Sequence, residues 1–240
     1  MSALVCLTYD DALPVHREVV APLLAERGLR GTFYIPAARD DVHEHLADWR
    51  RVAALGHELG NHSCFHPCRT RAEWDWKPPY RLEDYTTERI HDELLLANRI
   101  LHLIDGRSER SYGATCSDLI VGDDESFVDD IRDLFTVVRS GHTDRSLTGA
   151  MPFVAPAWFV DFRHADEVIP VIESIRGQND AWLILGMHGI GAGTHNNYMD
   201  AEEHRYLIDW LAGQRSWLAA VTVLEITHRH PMYAACDSVR

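Results

Sequence analysis

The sequence predicts an α/β protein whose parallel strands close into one barrel. Strand-like and helix-like segments alternate along the whole chain, and this order is typical of a parallel sheet with helical crossovers. Seven or eight such units are enough to close the sheet on itself. The 240 residues, 46% of them hydrophobic, can fill one barrel core, and no Pro/Gly/Ser-rich linker divides them. We therefore expect a single domain over residues 1–240.

The strand candidates are short apolar runs bounded by polar or turn-forming residues. They are Leu4–Tyr9, Gly31–Ile35, His57–Asn61, Ser111–Thr115, Phe135–Arg139, Phe153–Val160, Trp182–His188 and Ala220–Leu224.

Apolar residues at helical spacing predict helices between these strands. The clearest pattern runs from Ile90 to Ile104, after two threonines that can cap it and before Gly106, which can end it. Apolar positions over 127–135 predict a second helix. The sequence Asp200-x-x-Glu203 resembles a capping box that opens a third helix, which Gly213 closes.

Composition and charge exclude several classes of partner. The net charge of −14 argues against nucleic acid as a partner. The chain has no run of about 18 apolar residues, so no membrane span is predicted, and the first residues show no basic lead of a signal peptide.

The five cysteines are an odd number scattered along the chain. This usage favours reduced thiols in a cytoplasmic protein over a disulfide framework.

Two polar segments follow predicted strands and suggest metal chemistry. The first strand runs into adjacent carboxylates, Asp10 and Asp11, and two imidazoles, His62 and His66, follow the third strand at a four-residue spacing. One carboxylate and two imidazoles make an open divalent-metal site with room for water. The other carboxylate is then available as a general base beside that water. This combination predicts a metal-dependent hydrolase.

The predicted topology brings these residues to one place. Barrel enzymes use the carboxyl ends of their strands. Asp10 and Asp11 lie at the end of the first strand, His62 and His66 follow the third, and His188 ends a later one. We expect all five at one rim.

Three segments carry a resemblance to a known family. Thr8-Tyr9-Asp10-Asp11, His62-Ser63-x-x-His66-Pro67 and Met187-His188-Gly189 resemble signature segments of the polysaccharide deacetylases (carbohydrate esterase family 4), in the family's order. The similarity extends from about residue 4 to residue 226. It implies a single deformed barrel of about seven strands. It also implies hydrolytic removal of acetyl groups from amino sugars or sugar esters.

The resemblance implies a role for each matching residue. Asp11, His62 and His66 match the family's metal triad, which holds one divalent ion, usually zinc and sometimes cobalt or another ion. Asp10 matches the base that takes a proton from the attacking water. His188 matches the acid that protonates the departing amine or alkoxide.

The chain departs from the family in the third signature segment. The equivalent stretch is 111–117, with Thr115 where the family has proline. The resemblance implies that the Cys116 amide is the oxyanion donor, with its thiol close to the metal. The arginine that steadies the catalytic aspartate has no match there, and Arg139, at the end of its strand, is the candidate to replace it. Asp161 is the candidate to orient His188.

The cysteines around His66 and the aromatic loop that follows can each be interpreted in two ways. Cys64 and Cys68 bracket His66, so a closed, structural Cys/His zinc site is an alternative to the open triad. The long loop 74–85 is aromatic. Its Trp74, Trp76 and Tyr80 either stack on sugar faces or only cover the barrel.

Three functions fit these observations. The first is metal-dependent deacetylation of an N- or O-acetylated carbohydrate or a sugar-containing small molecule. The second is hydrolysis of another C–N bond, in a cyclic imide or ureide, on the same barrel. The third is a non-catalytic barrel that binds metal or glycan. We expect a small, soluble, acetylated saccharide as the partner, with no nucleic acid and no membrane, and the sequence predicts no oligomeric state.

Overall fold

The computed structural model describes residues 3–143 and 147–229. Its strands are β1 Ala3–Tyr9, β2 Gly31–Ile35, β3 Glu58–Asn61, β4 Ser111–Gly113, β5 Ile120–Val121, β6 Glu125–Ser126, β7 Val137–His142, β8 Leu147–Thr148, β9 Val154–Phe159, β10 Ala181–Met187, β11 Gly189–Ile190, β12 Tyr198–Met199 and β13 Leu218–Val221. Its α-helices are α1 Ala21–Glu26, α2 Asp40–Glu44, α3 Leu46–Ala54, α4 Thr87–Asp105, α5 Ala165–Glu173, α6 Ala201–Gly213 and α7 Val223–Arg229. A π-helical turn, His16–Val20, precedes α1, and 3-10 turns lie at Leu82–Asp84 and Thr115–Ser117.

Seven parallel strands form a closed barrel. Their order is β1-β2-β3-β4-β7-β9-β10, and β10 pairs back onto β1 over six residue pairs, from Leu4 with Trp182 to Tyr9 with Met187. The first half of β1 pairs with β13 and its second half with β2. This shared edge deforms the barrel. The predicted deformed barrel of about seven strands is therefore confirmed.

The apolar strands have both faces covered, as expected for a parallel sheet. Along β1, Val5 and Leu7 join the core cluster that includes residues of the surrounding helices, and Cys6 joins a second cluster with Ile184 of β10. All three β1 side chains are fully buried. This two-sided burial fixes the strand register and with it the position of the residues that follow β1.

The helix predicted over Ile90–Ile104 is confirmed as α4. The Thr86 side chain accepts a hydrogen bond from the Arg89 N–H, and Gly106 ends the helix in the left-handed region, at φ 72°. The Asp200 cap of α6 is confirmed as well, because its carboxylate accepts from the Glu202 and Glu203 N–H groups. The Glu203 side chain instead accepts from the Ala165 N–H.

The helix predicted over 127–135 is wrong. This segment forms turns closed by hydrogen bonds from Leu134 N–H to the Ile131 carbonyl and from Arg132 N–H to the Asp129 carbonyl. Its side chains Phe127 and Ile131 are nevertheless fully buried. The apolar spacing therefore reports burial of one face, and the segment is too short to offset the cost of helix nucleation by itself.

The predicted last strand, Ala220–Leu224, is displaced by about two residues. β13 ends at Val221, and α7 begins at Val223. The buried Glu58 carboxylate accepts hydrogen bonds from the Leu224 N–H and the Thr32 hydroxyl, and it therefore caps this helix.

The described residues contain no helix that combines the length and the apolarity needed to cross a bilayer.

Candidate active site

The polar residues that follow β1, β3 and β10 meet at one rim of the barrel. Oδ1 of Asp11 lies 3.2 Å from Nε2 of His66 and 3.7 Å from Nε2 of His62. One donor atom from each of these three residues lies within 4.8 Å of the others. The structure therefore brings these three side chains together at one rim, where the sequence analysis expected them.

The loop after β3 is held by side-chain hydrogen bonds. The Ser63 N–H donates to Asn61, and the His66 N–H donates to the Ser63 hydroxyl at 2.8 Å. Between them, the Phe65 N–H donates to the Glu93 carboxylate of α4. These contacts turn the chain tightly enough to aim both imidazoles at Asp11.

Several residues at this rim have strained backbone conformations. Six residues other than glycine adopt the left-handed region here, and they are Asp11, Ala12, Ser63, His66, Cys116 and Ser117. Each such residue costs free energy, and strained backbone of this kind is typical of functional sites.

The donor set fits one divalent ion. Nδ1 of His62 lies 2.6 Å from the Gly113 carbonyl, so that nitrogen carries the proton and the lone pair of Nε2 faces Asp11. Burial lowers the pKa of His62 to about 4, despite the nearby Asp10 carboxylate, and this keeps the imidazole neutral, as a metal ligand must be. Burial raises the pKa of Asp11, but the hydrogen bond and charge of His66 outweigh it, and the pKa lies well below its usual range. One carboxylate and two imidazoles leave coordination positions open.

The Asp10 carboxylate is paired with a buried arginine. Nη2 of Arg139 lies 2.8 Å and 2.7 Å from the two Asp10 oxygens. Burial raises the pKa of Asp10, but the charges of Arg139 and His62 outweigh it and hold the pKa below its usual value. Asp10 is therefore ionised at neutral pH and able to accept a proton.

Gly113 makes room for this arginine. A Cβ at Gly113 would lie 2.6 Å from Nη2 of Arg139 and 2.6 Å from the Tyr34 ring. The guanidinium also packs over the rings of Tyr34 and Phe159, which favours a buried cation. Gly113 in β4 is therefore a feature of the sequence that is consistent with the approach of the Arg139 side chain from the neighbouring strand β7.

His188 is held by Asp161. Nδ1 of His188 lies 2.7 Å from one Asp161 oxygen, and the His188 N–H donates to the other at 2.9 Å. Burial lowers the pKa of His188, but the Asp161 hydrogen bond and the charge of Asp10 outweigh it and raise the pKa to about 9. Nε2 of His188 is therefore the nitrogen left to exchange a proton.

Sequence reasoning missed two histidines of the rim. His195 stacks on His188, with the ring centroids 5.1 Å apart, and its Nε2 lies 3.6 Å from Asp11. The buried His16 contacts the His188 carbonyl at 2.7 Å. Both sit outside any recognisable motif. A Cβ at Gly189 would lie 2.8 Å from Cβ of His195. The glycine at this position is therefore the one sequence feature that allows the loop carrying His195 to pack against β11.

Two cysteines at the rim form a disulfide, which corrects the expectation of reduced thiols throughout. Cys68 and Cys116 are bonded, with their Cα atoms 5.7 Å apart, whereas Cys6 and Cys64 are free and buried. Cys236 lies outside the described residues. The number of cysteines is odd, and the two bonded residues are 48 residues apart in the sequence. The sequence therefore did not indicate a single isolated disulfide.

The structure does not assemble the alternative zinc site around Cys64, Cys68 and His66. The Cys64 thiol donates to the Glu93 carbonyl at 3.5 Å, and the Cys68 sulfur is bonded to Cys116. The Cys116 sulfur is likewise used by this bond. The backbone of Cys116 lies in the tight turn after β4, at φ 52°, and the residue lines the cavity.

A cavity of about 1020 Å³ opens over the rim. Its floor holds Asp10, Asp11, His62, His66 and His188. One wall is aromatic and is formed by Phe65, Trp74, Trp76 and Tyr80. Trp74 stacks on Trp76, and Phe65 stacks on Tyr80, with centroids 4.9 Å and 4.8 Å apart. The structure thus brings the aromatic loop beside the polar cluster.

Comparisons with known proteins agree with this architecture. Peptidoglycan deacetylase PdaC from Bacillus subtilis superposes with a TM-score of 0.60, at 16% identity, covering 98% of this chain and 95% of that one. A family 4 acetyl xylan esterase from Clostridium thermocellum, in complex with a cobalt ion, gives a TM-score of 0.58 at 19% identity, covering 94% and 90%. BA3943 from Bacillus anthracis, a CE4 family pseudoenzyme, gives 0.55 at 13%, covering 94% and 66%. At these identities the likeness shows the fold.

One of the two sequence comparisons finds a related family. Curated protein sequences give no significant match. The polysaccharide deacetylase model matches residues 2–118, a span that includes Asp10, Asp11, His62 and His66. Residues 2–118 therefore match the polysaccharide deacetylase family, which agrees with the resemblance of the signature segments in that span.

Proposed function

We propose that this protein is a metal-dependent hydrolase that removes acetyl groups from an N- or O-acetylated carbohydrate or a sugar-containing small molecule. The observation that supports it best is the meeting, at one rim, of a three-donor cluster with a separate carboxylate and a separate histidine. These are the parts that hydrolysis of an acetyl group requires: a Lewis acid, a base and an acid.

Asp11, His62 and His66 would hold one divalent ion, with zinc as the first choice and cobalt or another divalent ion as a substitute. Such an ion would polarise the acetyl carbonyl and lower the pKa of a water molecule.

Asp10 and His188 divide the proton transfers. Asp10 is kept ionised by Arg139 and acts as the base toward the attacking water. His188, whose pKa is raised to about 9, is cationic at neutral pH and gives the proton of Nε2 to the leaving nitrogen or oxygen. Environments that hold an acid and a base in opposite protonation states are typical of catalytic pairs.

The substrate proposal depends on the cavity wall. Aromatic rings present flat apolar faces, and the stacked Trp74 and Trp76 lie beside the polar floor. We propose that Trp74, Trp76 and Tyr80 pack against sugar rings. The small soluble saccharide is part of this proposal, whereas the cytoplasmic location expected from the sequence is not. The Cys68–Cys116 disulfide argues against the location, because such bonds are uncommon in a reducing compartment.

Acetate release tests the proposed function. The zinc-loaded protein is incubated with acetylated mono- and oligosaccharides and, separately, with cyclic imides and ureides, and acetate is measured. We expect acetate together with an equal amount of free amine or hydroxyl from at least one saccharide. Ring opening of an imide without acetate would favour the second function, and no turnover on either panel would favour a binding barrel.

Replacing His188 should have an effect that depends on the leaving group. Because a departing amine must be protonated and a phenolate need not be, His188→Ala should reduce hydrolysis of an N-acetyl sugar by roughly 10²–10⁴-fold and largely spare an aryl acetate. Rates on both substrates are compared in one preparation. Equal losses would assign His188 a binding or structural role.

Replacing Asp161 should move the alkaline limb of the pH–rate profile. The acid form of His188 exists below its pKa, so activity falls as the pH rises through that pKa. Asp161→Asn removes the hydrogen-bonded charge that raises this pKa, and the fall should therefore occur at lower pH. An alkaline limb that stays in place would show that His188 does not set it.

The oxyanion role proposed for the Cys116 amide can be separated from the disulfide. Cys116→Ala and Cys68→Ala remove the same bond, and only the first changes the side chain of residue 116. If the amide alone is used, the two variants should deacetylate within a few-fold of each other, because an amide donor survives truncation. A loss confined to Cys116→Ala, near the roughly 10²–10³-fold worth of an oxyanion donor, would contradict this.

A further inference from the structure

The two histidines of the donor cluster have different partners on their second nitrogen. Nδ1 of His62 contacts the Gly113 carbonyl, as is usual for a metal-binding histidine, whose outer nitrogen meets a carbonyl, a carboxylate or water. Nδ1 of His66 instead lies 3.6 Å from the sulfur of Cys68. Sulfur is a weak acceptor but a strong ligand for soft metal ions. His66 thus faces hard donors on one side and sulfur on the other.

His66, Cys68 and Cys116 form a second cluster of possible ligands. One ring nitrogen of His66 and the two sulfurs lie within 4.8 Å of one another, and Nδ1 is the nitrogen that contacts the Cys68 sulfur. In a tetrahedral zinc site, a nitrogen and a sulfur ligand lie about 3.6 Å apart and two sulfurs about 3.8 Å apart. The His66–Cys68 distance already has the first value. Cα atoms 5.7 Å apart allow the sulfurs to reach the second by side-chain rotation once their bond is broken.

This cluster is accessible from the cavity. His66 and Cys116 are half-buried and line the cavity, and Cys68 is buried behind them. A small reductant and a metal ion can therefore reach Cys116 by the path that leads to Asp11.

We propose that reduction of the Cys68–Cys116 disulfide creates a soft-metal site made of both thiolates and Nδ1 of His66. A dithiol supplies the two electrons. It becomes a cyclic disulfide, and Cys68 and Cys116 become thiols. Binding of one divalent ion then releases their two protons and forms two sulfur–metal bonds and one nitrogen–metal bond.

The two sites exclude each other because they share His66. A neutral imidazole has one lone pair and one N–H. When Nδ1 binds an ion, the proton lies on Nε2, which then donates toward Asp11 at 3.2 Å. The triad of Asp11, His62 and His66, called the hard site below, then keeps only Asp11 and His62 of its three donors. Thiolates also bind zinc and cobalt more strongly than a carboxylate does, so reduction moves the ion and withdraws it from the hard site.

Cobalt absorption tests this inference without any substrate. Metal-free protein with its disulfide intact, and metal-free protein reduced with a dithiol and desalted without oxygen, each receive one equivalent of Co²⁺. We expect a near-ultraviolet thiolate-to-cobalt charge-transfer band in the reduced sample and none in the oxidised sample. Reoxidation should remove the band.

Three variants assign the band. Cys68→Ala should abolish it, whereas Cys64→Ala, which removes a free thiol of the same loop, should leave it unchanged. His62→Ala should also leave it unchanged, because His62 belongs to the hard site alone. A reduced wild type without the band, or a band that survives Cys68→Ala, would overturn the inference. Either result leaves the proposed deacetylation intact, because acetate release by the zinc-loaded wild type with its disulfide unreduced is a separate measurement.

Discussion

Replacing His62 and His66 together by alanine is expected to leave the purified protein without its divalent ion. The change removes two of the three donors and leaves Asp11 as a single carboxylate ligand, which cannot hold a transition metal against water. The loss of affinity should exceed the roughly 10–100-fold cost of losing one outer-shell partner, and deacetylation should disappear with the metal. Elemental analysis of the purified variant measures this directly.

Two exposed histidines provide the matched control. His102 and His228 lie on α4 and α7 and contact the Arg107 carbonyl and Glu109. His102→Ala with His228→Ala removes the same number of imidazoles and should keep a full equivalent of metal. A full equivalent in the His62→Ala, His66→Ala protein would defeat the assignment of the donor cluster.

Asp10→Asn is expected to keep the metal and lose turnover. An amide cannot take a proton from water, so the rate should fall by roughly 10²–10⁴-fold, the usual worth of a general base. Metal content should stay near normal because the three donors are untouched. Loss of metal together with activity would make Asp10 a ligand.

This variant also carries a stability cost that must be separated from catalysis. Arg139 is fully buried, and Asp10 is its charge partner. Leaving a buried charge unpaired costs about 3–5 kcal/mol, so thermal unfolding should shift downward. Asp10→Asn combined with Arg139→Gln removes that charge and should recover part of the stability without recovering turnover. Recovery of turnover would show that Asp10 acts only through Arg139.

The sequence was sufficient for the barrel and for the rim because both depend on local patterns. Alternating apolar segments predict parallel strands, and residues at strand ends meet at one rim by topology alone. Asp10, Asp11, His62, His66 and His188 all follow or end such segments. The same reasoning pointed to Arg139, since β7 is a neighbour of β4 in the closed sheet.

The remaining features depend on contacts between distant loops, which a single sequence does not encode as a pattern. His195 reaches Asp11 from the loop after β11, and the Cys68–Cys116 bond joins the loop after β3 to the turn after β4. The prediction of a helix over 127–135 was wrong for a different reason, because here a local pattern was present but did not indicate a helix. Its apolar spacing was real, but tertiary burial without helical hydrogen bonds satisfies the same spacing.

Anomalous diffraction at the zinc absorption edge, from crystals of the oxidised, zinc-loaded protein, tests the central claim most directly. The account predicts one strong peak about 2.0–2.2 Å from an Asp11 oxygen, Nε2 of His62 and Nε2 of His66. Asp10 should remain outside bonding distance, against Arg139. A peak bonded to Asp10 or located elsewhere, or no peak in a preparation that still releases acetate, would contradict it.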